Sequence, residues 1–444
     1  MRHAVVIIHG IGEQRPMQTL RGFVDAVLPD VDEGNAKFWS APDELSELFE
    51  LRVLKTTHRP RTDFFEFYWA HHVEGTKFIH LARWLMTLLF RRPSEVPNQL
   101  RVLWWTSWAS LVIFVISILF GFANSALSTA AASLSKTQFW LASAVVSAVV
   151  QLVCLQYLGD AARYLSAHPK NVAIRQKIRS SGVNLLKALH ERGYDRIIVV
   201  GHSLGSVIGY DILCHLWHEY HGKLAAIERQ DPSLVKMFAE GKPLQPVISD
   251  ELSKNGEALS KQLDEGTLKQ FQTSQQHARA EQQELGNPWR ISDFITLGSP
   301  LAHSAILLAP DRISFGRLKR QKELPTCPPQ SDIKGYGYAA KKPMQLGQKL
   351  FTPLLLHHGA LFAVTSWTNI FYRTRFGIFG DVIGGPLAGW FGLGIRDICI
   401  HGSKDFPLLG NLPFVHTMYW AKIRHNKQCR SLTALIKALR LSER

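Results

Sequence analysis

Cysteine is scarce and scattered. The five cysteines in 444 residues (Cys154, Cys214, Cys327, Cys399 and Cys429) include no C-x-x-C pair. That spacing excludes a disulfide framework and a cysteine-based zinc module, and it fits a reducing compartment. Also missing is an export signal: the first apolar run, Ala4–Ile8, is too short for a signal-peptide core. Acidic residues are under-represented, 36 against 51 lysines and arginines, for a formal net charge of +15. A basic balance of this size points to an anionic partner. No zinc-finger spacing, RNP pattern or basic block interleaved with aromatics is present, so nucleic acid is set aside in favour of a membrane surface. The most telling absence is of charge itself. Residues 102–135 carry none, and neither do residues 137–159.

Within those windows Leu103–Ala123 and Gln138–Leu158 each have the length that crosses a hydrocarbon core. Trp104, Trp105, Trp108, Trp140 and Tyr157 stand near their ends, where aromatic belts form. Arg83, Arg91, Arg92 and Arg101 precede the pair, and Arg163, Lys170, Arg175, Lys177 and Arg179 follow it. The positive flanks predict a transmembrane hairpin with a short external loop and both termini cytoplasmic. A hairpin returns the chain near its point of departure, so it can interrupt a globular domain without breaking its sheet.

The chemistry centres on Arg196-Ile197-Ile198-Val199-Val200-Gly201-His202-Ser203-Leu204-Gly205. A buried-strand pattern runs into Gly-x-Ser-x-Gly and a helical pattern follows, which is the form of a nucleophile elbow. About 0.1 to 0.2 such triples are expected by chance in a chain this long, and the strand-before, helix-after context lowers that several-fold. The tight turn predicts strained backbone angles at Ser203 and clashes for any side chain at Gly201 or Gly205. The Leu204 N–H, at a helix start, is positioned to face a developing oxyanion.

Upstream, the apolar run His3–Ile8 reads as a strand buried on both faces. It ends in His9-Gly10-Ile11-Gly12-Glu13-Gln14, and Met17–Leu28 then reads as an amphipathic helix. A loop after an early strand supplies the second oxyanion donor in elbow hydrolases, and Ile11 and Gly12 are both candidates. Thr62–Ala70, Trp289–Leu297, Phe362–Phe371 and Ile395–Ile400 read as further strands, Val172–Leu189 and Tyr419–Leu439 as helices, and 310–350 as loop. Asp231–Glu284, rich in Gln, Lys, Glu and Ala, reads as a helical, partly mobile insertion serving as a cap or a partner-binding segment. His71, His72 and Glu74, and the row His215, His218, His221, are too loosely spaced to predict a metal site. Strands alternating with helices predict an α/β fold with a mostly parallel sheet flanked by helices.

A serine needs a histidine base, itself oriented by a carboxylate, and elbow hydrolases supply them in the chain order Ser, Asp or Glu, His. Asp381, in a turn-rich loop past a late strand, is the candidate acid, ahead of Asp311, Asp397 and Asp405. His416, between the last strand and the last helix, is the candidate base, ahead of His401.

Gly201-His202-Ser203-Leu204-Gly205, Leu297-Gly298-Ser299-Pro300, Trp367-Thr368-Asn369 with Asp381-Val382-Ile383-Gly384-Gly385, and His416-x-x-Tyr419-Trp420 resemble successive signatures of the α/β-hydrolase superfamily in its lipase-like branch. The opening His9–Gln14 is similar to that of a group of bacterial membrane-anchored hydrolases. Val382 stands where related sequences often carry proline after the acid. The resemblance covers the strands and both ends, but neither the hairpin nor 231–284. It implies hydrolysis of an ester, thioester or amide through an acyl-enzyme, without metal or organic cofactor.

Together these features predict a serine hydrolase anchored by two spans in a bacterial inner membrane, cleaving a lipid or other amphipathic ester at the cytoplasmic face. Residues 1–100, 161–230 and 289–444 would form the hydrolase domain, 101–160 the hairpin and 231–288 the insertion. Phe376, Ile378, Phe379, Leu387, Trp390 and Phe391 would form either an acyl-side wall dipping into lipid or a packed loop. The alternatives are a non-catalytic membrane scaffold that keeps the fold, or an amidase, thioesterase or peptidase using the same residues.

Overall fold

The computed structural model describes residues 1–10, 15–29, 37–46, 48–56, 59–72, 169–262, 264–332, 335–375, 380–402, 405–406, 413–423 and 427–441, with single positions between 93 and 115 and Tyr164. In chain order the elements that position the site are β1 (Arg2–Ile8), α1 (Gln18–Val27), β2 (Phe38–Pro42), β3 (Arg52–Thr56), β4 (Arg61–Phe67), α2 (Pro169–Glu191), β5 (Arg196–His202) and α3 (Leu204–Tyr220). They continue with α4 (Leu252–Lys261), α5 (Glu265–Glu284), β6 (Ile291–Leu297), α6 (Arg312–Arg320), β7 (Ser366–Tyr372), β8 (Arg396–Ile400) and α7 (Arg430–Leu439).

Eight strands form one sheet in the order β8-β7-β6-β5-β1-β4-β3-β2. The run from β8 to β4 is parallel throughout, and β3 and β2 extend it in antiparallel fashion. This is the mixed α/β architecture expected, with a mostly parallel central sheet flanked by helices.

Continuous apolar strands are required because both faces are covered. Along β1 the side chains alternate: Val6 and Ile8 join the core under α2, α3 and α5, while Val5 and Ile7 join the core under α1 and α7. Register brings Ile8 beside Gly201, His202 beside Leu297, and Leu297 beside Ile370. The carboxyl ends of β1, β5, β6 and β7 therefore share one edge, where open α/β sheets place their ligands. At the other edge buried Asp293 accepts from Arg196 Nη2 at 2.9 Å and Arg440 Nη2 at 2.5 Å, pinning the end of α7 to β6.

Several sequence expectations need correction. The 231–284 stretch is helical, but it is not a mobile insertion. Phe271 and Ala278 of α5 are fully buried, and Gln275 Nε2 donates to Phe362 O at 2.6 Å and Thr365 O at 3.2 Å. Glu281 is likewise buried, accepting from Val247 N at 2.7 Å and Ile248 N at 3.1 Å, whereas composition alone reads such residues as solvated. Residues 310–350 are not simply loop: Asp311 caps α6, accepting from Ser314 N at 2.8 Å. The C-terminal helix starts at Arg430 rather than Tyr419, because Cys429 caps it by accepting from Leu432 N and Tyr419 is drawn into the site. The antiparallel strands β2 and β3, between α1 and β4, are additional to the strands predicted above.

The predicted spans Leu103–Ala123 and Gln138–Leu158 fall almost wholly outside the described residues, and no described helix is long and apolar enough to cross a membrane. Val96 and Tyr164, outside the predicted spans, and Trp104, at the start of the first, are buried in the same core as α2 and α3. Tyr164 OH donates to Asp211 Oδ2 at 2.9 Å, and Arg179 pairs with the same carboxylate through two bonds of 2.6 and 2.9 Å.

Candidate active site

The turn between β5 and α3 has the strain its sequence requires. Ser203 sits at φ 51° and ψ −128°, a region that L residues rarely occupy. Both flanking glycines are obligatory for steric reasons. A Cβ on Gly201 would lie 2.5 Å from Ser206 Cα, within α3, and one on Gly205 would lie 2.1 Å from Ile8 O, within β1. The serine is locked from below: Ser203 N donates to Leu297 O at 2.9 Å, and Ser206 Oγ lies 2.6 Å from both Ser203 O and Ser299 Oγ. Ser203 Oγ is buried and has no hydrogen-bond partner among the described residues. Leu204, as expected, opens α3, so its N–H has no acceptor within its own helix.

Asp381 and His416 meet as predicted. His416 Nδ1 lies 3.0 Å from each carboxylate oxygen of Asp381. Asp381 Oδ1 also accepts from Ile383 N at 2.9 Å and Gly384 N at 3.0 Å, and Oδ2 accepts from Tyr419 OH at 2.6 Å. Burial by itself would raise this carboxyl. His416, Tyr419 and the Gly384 N–H outweigh it and hold Asp381 at about 2. The carboxylate therefore accepts the Nδ1 proton, which leaves the Nε2 lone pair of a neutral His416 as its basic site.

Gly298, at φ 56°, marks where the three residues converge. A Cβ there would lie 3.0 Å from both Asp381 Oδ2 and His416 Cε1 and 2.7 Å from Tyr419 Cε2, and the preceding residue accepts from Ser203 N. Ser203, His416 and Asp381 thus crowd onto the ends of β5, β6 and β7. Ser203 Oγ makes no hydrogen bond to His416 in this structure, and serine–histidine bonds of this kind often tighten only around substrate.

The other carboxylates have structural employment. Asp311 caps α6, Asp397 accepts from Leu387 N at 3.0 Å and Ala388 N at 2.9 Å, and Asp405 accepts from Arg430 N at 3.0 Å. His401 lies 3.4 Å from Arg373 Nη1, not at the site. Ile11 and Gly12 lie outside the described residues. Gly10, the described residue just before them, stands against the candidate nucleophile: a Cβ on Gly10 would lie 2.8 Å from Ser203 Cβ. His9, stacked on Trp69 at 5.2 Å, adjoins it, with Nδ1 2.7 Å from Gly10 O and its own carbonyl accepting from Trp69 Nε1.

Of the proposed acyl wall, Phe376, Ile378 and Phe379 lie outside the described residues. Leu387 and Phe391 are fully buried in the core, which is the packed-loop alternative, and Trp390 lies under the Arg312 guanidinium. Among the described residues no cluster of three or more His, Cys, Asp or Glu converges as a metal-ligand set. His221 Nδ1 instead lies 2.9 Å from Leu356 O.

Two site residues escape a sequence reading of roles. Tyr419 binds the Asp381 carboxylate, and His202, with Nε2 2.9 Å from His416 O, binds the backbone of the candidate base. Their only signal is position: each is embedded in a motif whose named chemistry belongs to a neighbour.

Comparison with protein-family models, curated proteins and solved structures finds no match.

Proposed function

We propose that this protein is a serine hydrolase of the α/β-hydrolase type, cleaving an acyl ester through an acyl-enzyme. The observation that carries the reading is a strained serine at the N-terminus of α3 sharing one sheet edge with a buried histidine–aspartate pair. In this scheme Ser203 Oγ attacks the acyl carbon as His416 Nε2 takes its proton. Asp381 keeps the Nδ1 proton in place and stabilises the imidazolium. The Leu204 N–H, with a second donor from the loop at Ile11 or Gly12, receives the developing oxyanion. His416 then protonates the leaving alkoxide, and water repeats the sequence to release the acid.

Phosphonylation by a fluorophosphonate probe tests this directly. Wild-type protein is expected to label and Ser203→Ala to lose all labelling; equal labelling of the two sinks the catalytic reading and favours a scaffold that keeps the fold. Turnover of ester, thioester and amide series then assigns the bond.

We further propose that the chain is anchored by a transmembrane hairpin over 103–158, with the hydrolase part at the cytoplasmic face, so that the substrate is a lipid or other amphipathic ester. Support comes from the two uncharged windows, the arginine- and lysine-rich flanks and the exposed apolar residues at the start of the first window. Trp105, Leu111, Val112 and Val115 are 44–56% exposed there, whereas Trp104 faces the core. A reporter inserted between 124 and 137 is expected to read as external, and an internal reading would overturn the hairpin.

A further inference from the structure

The histidine inside the elbow pentapeptide has no role in the chemistry proposed above, yet it is buried beside the base. His202 Nε2 lies 2.9 Å from the carbonyl oxygen of His416, and its ring centroid is 5.1 Å from that of His416 and 5.0 Å from Trp420. A carbonyl only accepts, so Nε2 must carry the proton and donate it. Burial, the largest influence, keeps the imidazole neutral by holding it at about 3, so this donor is present throughout the physiological range.

His416 needs such a tether. It sits on a short 3-10 turn, Pro413–Thr417, between β8 and α7. Through the side chain, Asp381 sets the ring's tautomer and tilt. Through the backbone, the bond from His202 sets where the residue stands relative to Ser203, and His202 is covalently joined to Ser203. The path from nucleophile to base therefore runs through one peptide bond, one imidazole and one hydrogen bond.

We infer that His202 is a positioning residue that ties the backbone of the base to the nucleophile's own strand and so sets the Ser203–His416 approach. The inference rests on the serine-hydrolase reading. An error of about 1 Å in such an approach costs about 10²-fold in rate. The bond is also strongly position-dependent, because losing a buried donor leaves the His416 carbonyl unsatisfied.

The test uses the full chain, a fluorophosphonate probe and a p-nitrophenyl alkanoate, with wild type, Ser203→Ala, His202→Met and His202→Gln. Methionine and glutamine have similar length and volume, but only glutamine retains a donor at the reach of Nε2. For His202→Met, kcat is expected to fall 10- to 100-fold with KM within about threefold of wild type, and labelling should slow in parallel. His202→Gln should recover most of that loss. Equal losses in both variants, or no loss in His202→Met, overturn the tether while leaving the hydrolase reading intact. Absence of Ser203-dependent labelling in the wild type overturns that reading, and the tether with it.

Discussion

Asp381→Asn is expected to lower kcat by about 10⁴-fold while the protein remains folded. The carboxylate accepts a hydrogen bond from His416 Nδ1–H, Nδ1 lying 3.0 Å away, and is held ionised at about 2 against the cost of its burial. An asparagine at this position turns an acceptor into a group that also donates. If its amide donates to Nδ1, the proton of neutral His416 moves to Nε2, where the base can no longer accept from Ser203. The carbonyl of the asparagine can still accept from Ile383 N and Gly384 N, so the loop keeps its anchors. The pH dependence has a defined sign. Because the folded carboxyl lies below its ordinary value of 3.8, ionised Asp381 stabilises the fold above about pH 4, and that contribution disappears as the pH falls through 2. Steady-state hydrolysis of a p-nitrophenyl ester at pH 7, alongside a thermal melt, checks both halves. A drop of less than about tenfold with an intact melt would remove Asp381 from the proposed triad.

Gly205→Ala is expected to abolish folding. Its Cβ would stand 2.1 Å from Ile8 O and 2.5 Å from His9 O, and these are backbone atoms of a central strand, not the tips of flexible side chains. Strand β1 cannot retreat, because it is bonded to β5 on one side and β4 on the other. The strain has no cheap outlet, and domains of this kind are stable by only about 5–15 kcal/mol. Gly209→Ala is the control, one turn further along the same helix. There a Cβ would meet Phe294 Cε2 at 3.0 Å and Ile8 Cδ1 at 3.2 Å, both side-chain atoms able to shift. Soluble yield and the cooperativity of thermal unfolding should separate the two: little folded Gly205→Ala, and a Gly209→Ala variant that melts cooperatively a few degrees below wild type. A cooperative, wild-type-like melt for Gly205→Ala would contradict the contact between β1 and α3.

Local chemistry made the central features readable without coordinates. A run such as Ile197–Val200 reads as a buried strand because both its faces are apolar. Gly201 and Gly205 announce a close approach of backbone to backbone, and the structure supplies Ser206 and Ile8 as the atoms approached. The order Ser203, Asp381, His416 is likewise a property of the chain. Polar side chains were harder to read. Gln275 looks like a surface residue in a Gln-rich helix, yet it is buried against two carbonyls 87 and 90 residues away. Antiparallel β2 and β3 escaped because neither short strand, Phe38–Pro42 or Arg52–Thr56, carries a continuous apolar run.

What the sequence determined by itself was the list of groups able to act: a glycine-flanked serine at a strand-to-helix turn, a later acid and a later base, and two charge-free stretches long enough to span a bilayer. These follow from composition and spacing over a few residues. Only the tertiary structure decided which of them meet. It pairs His416 with Asp381, while Asp311, Asp397 and Asp405 bind backbone N–H groups elsewhere, and it brings Tyr419 and His202 around that histidine. Such choices depend on hydrogen bonds between residues tens to hundreds of positions apart, whose strength resides in the burial and alignment that the folded sheet provides.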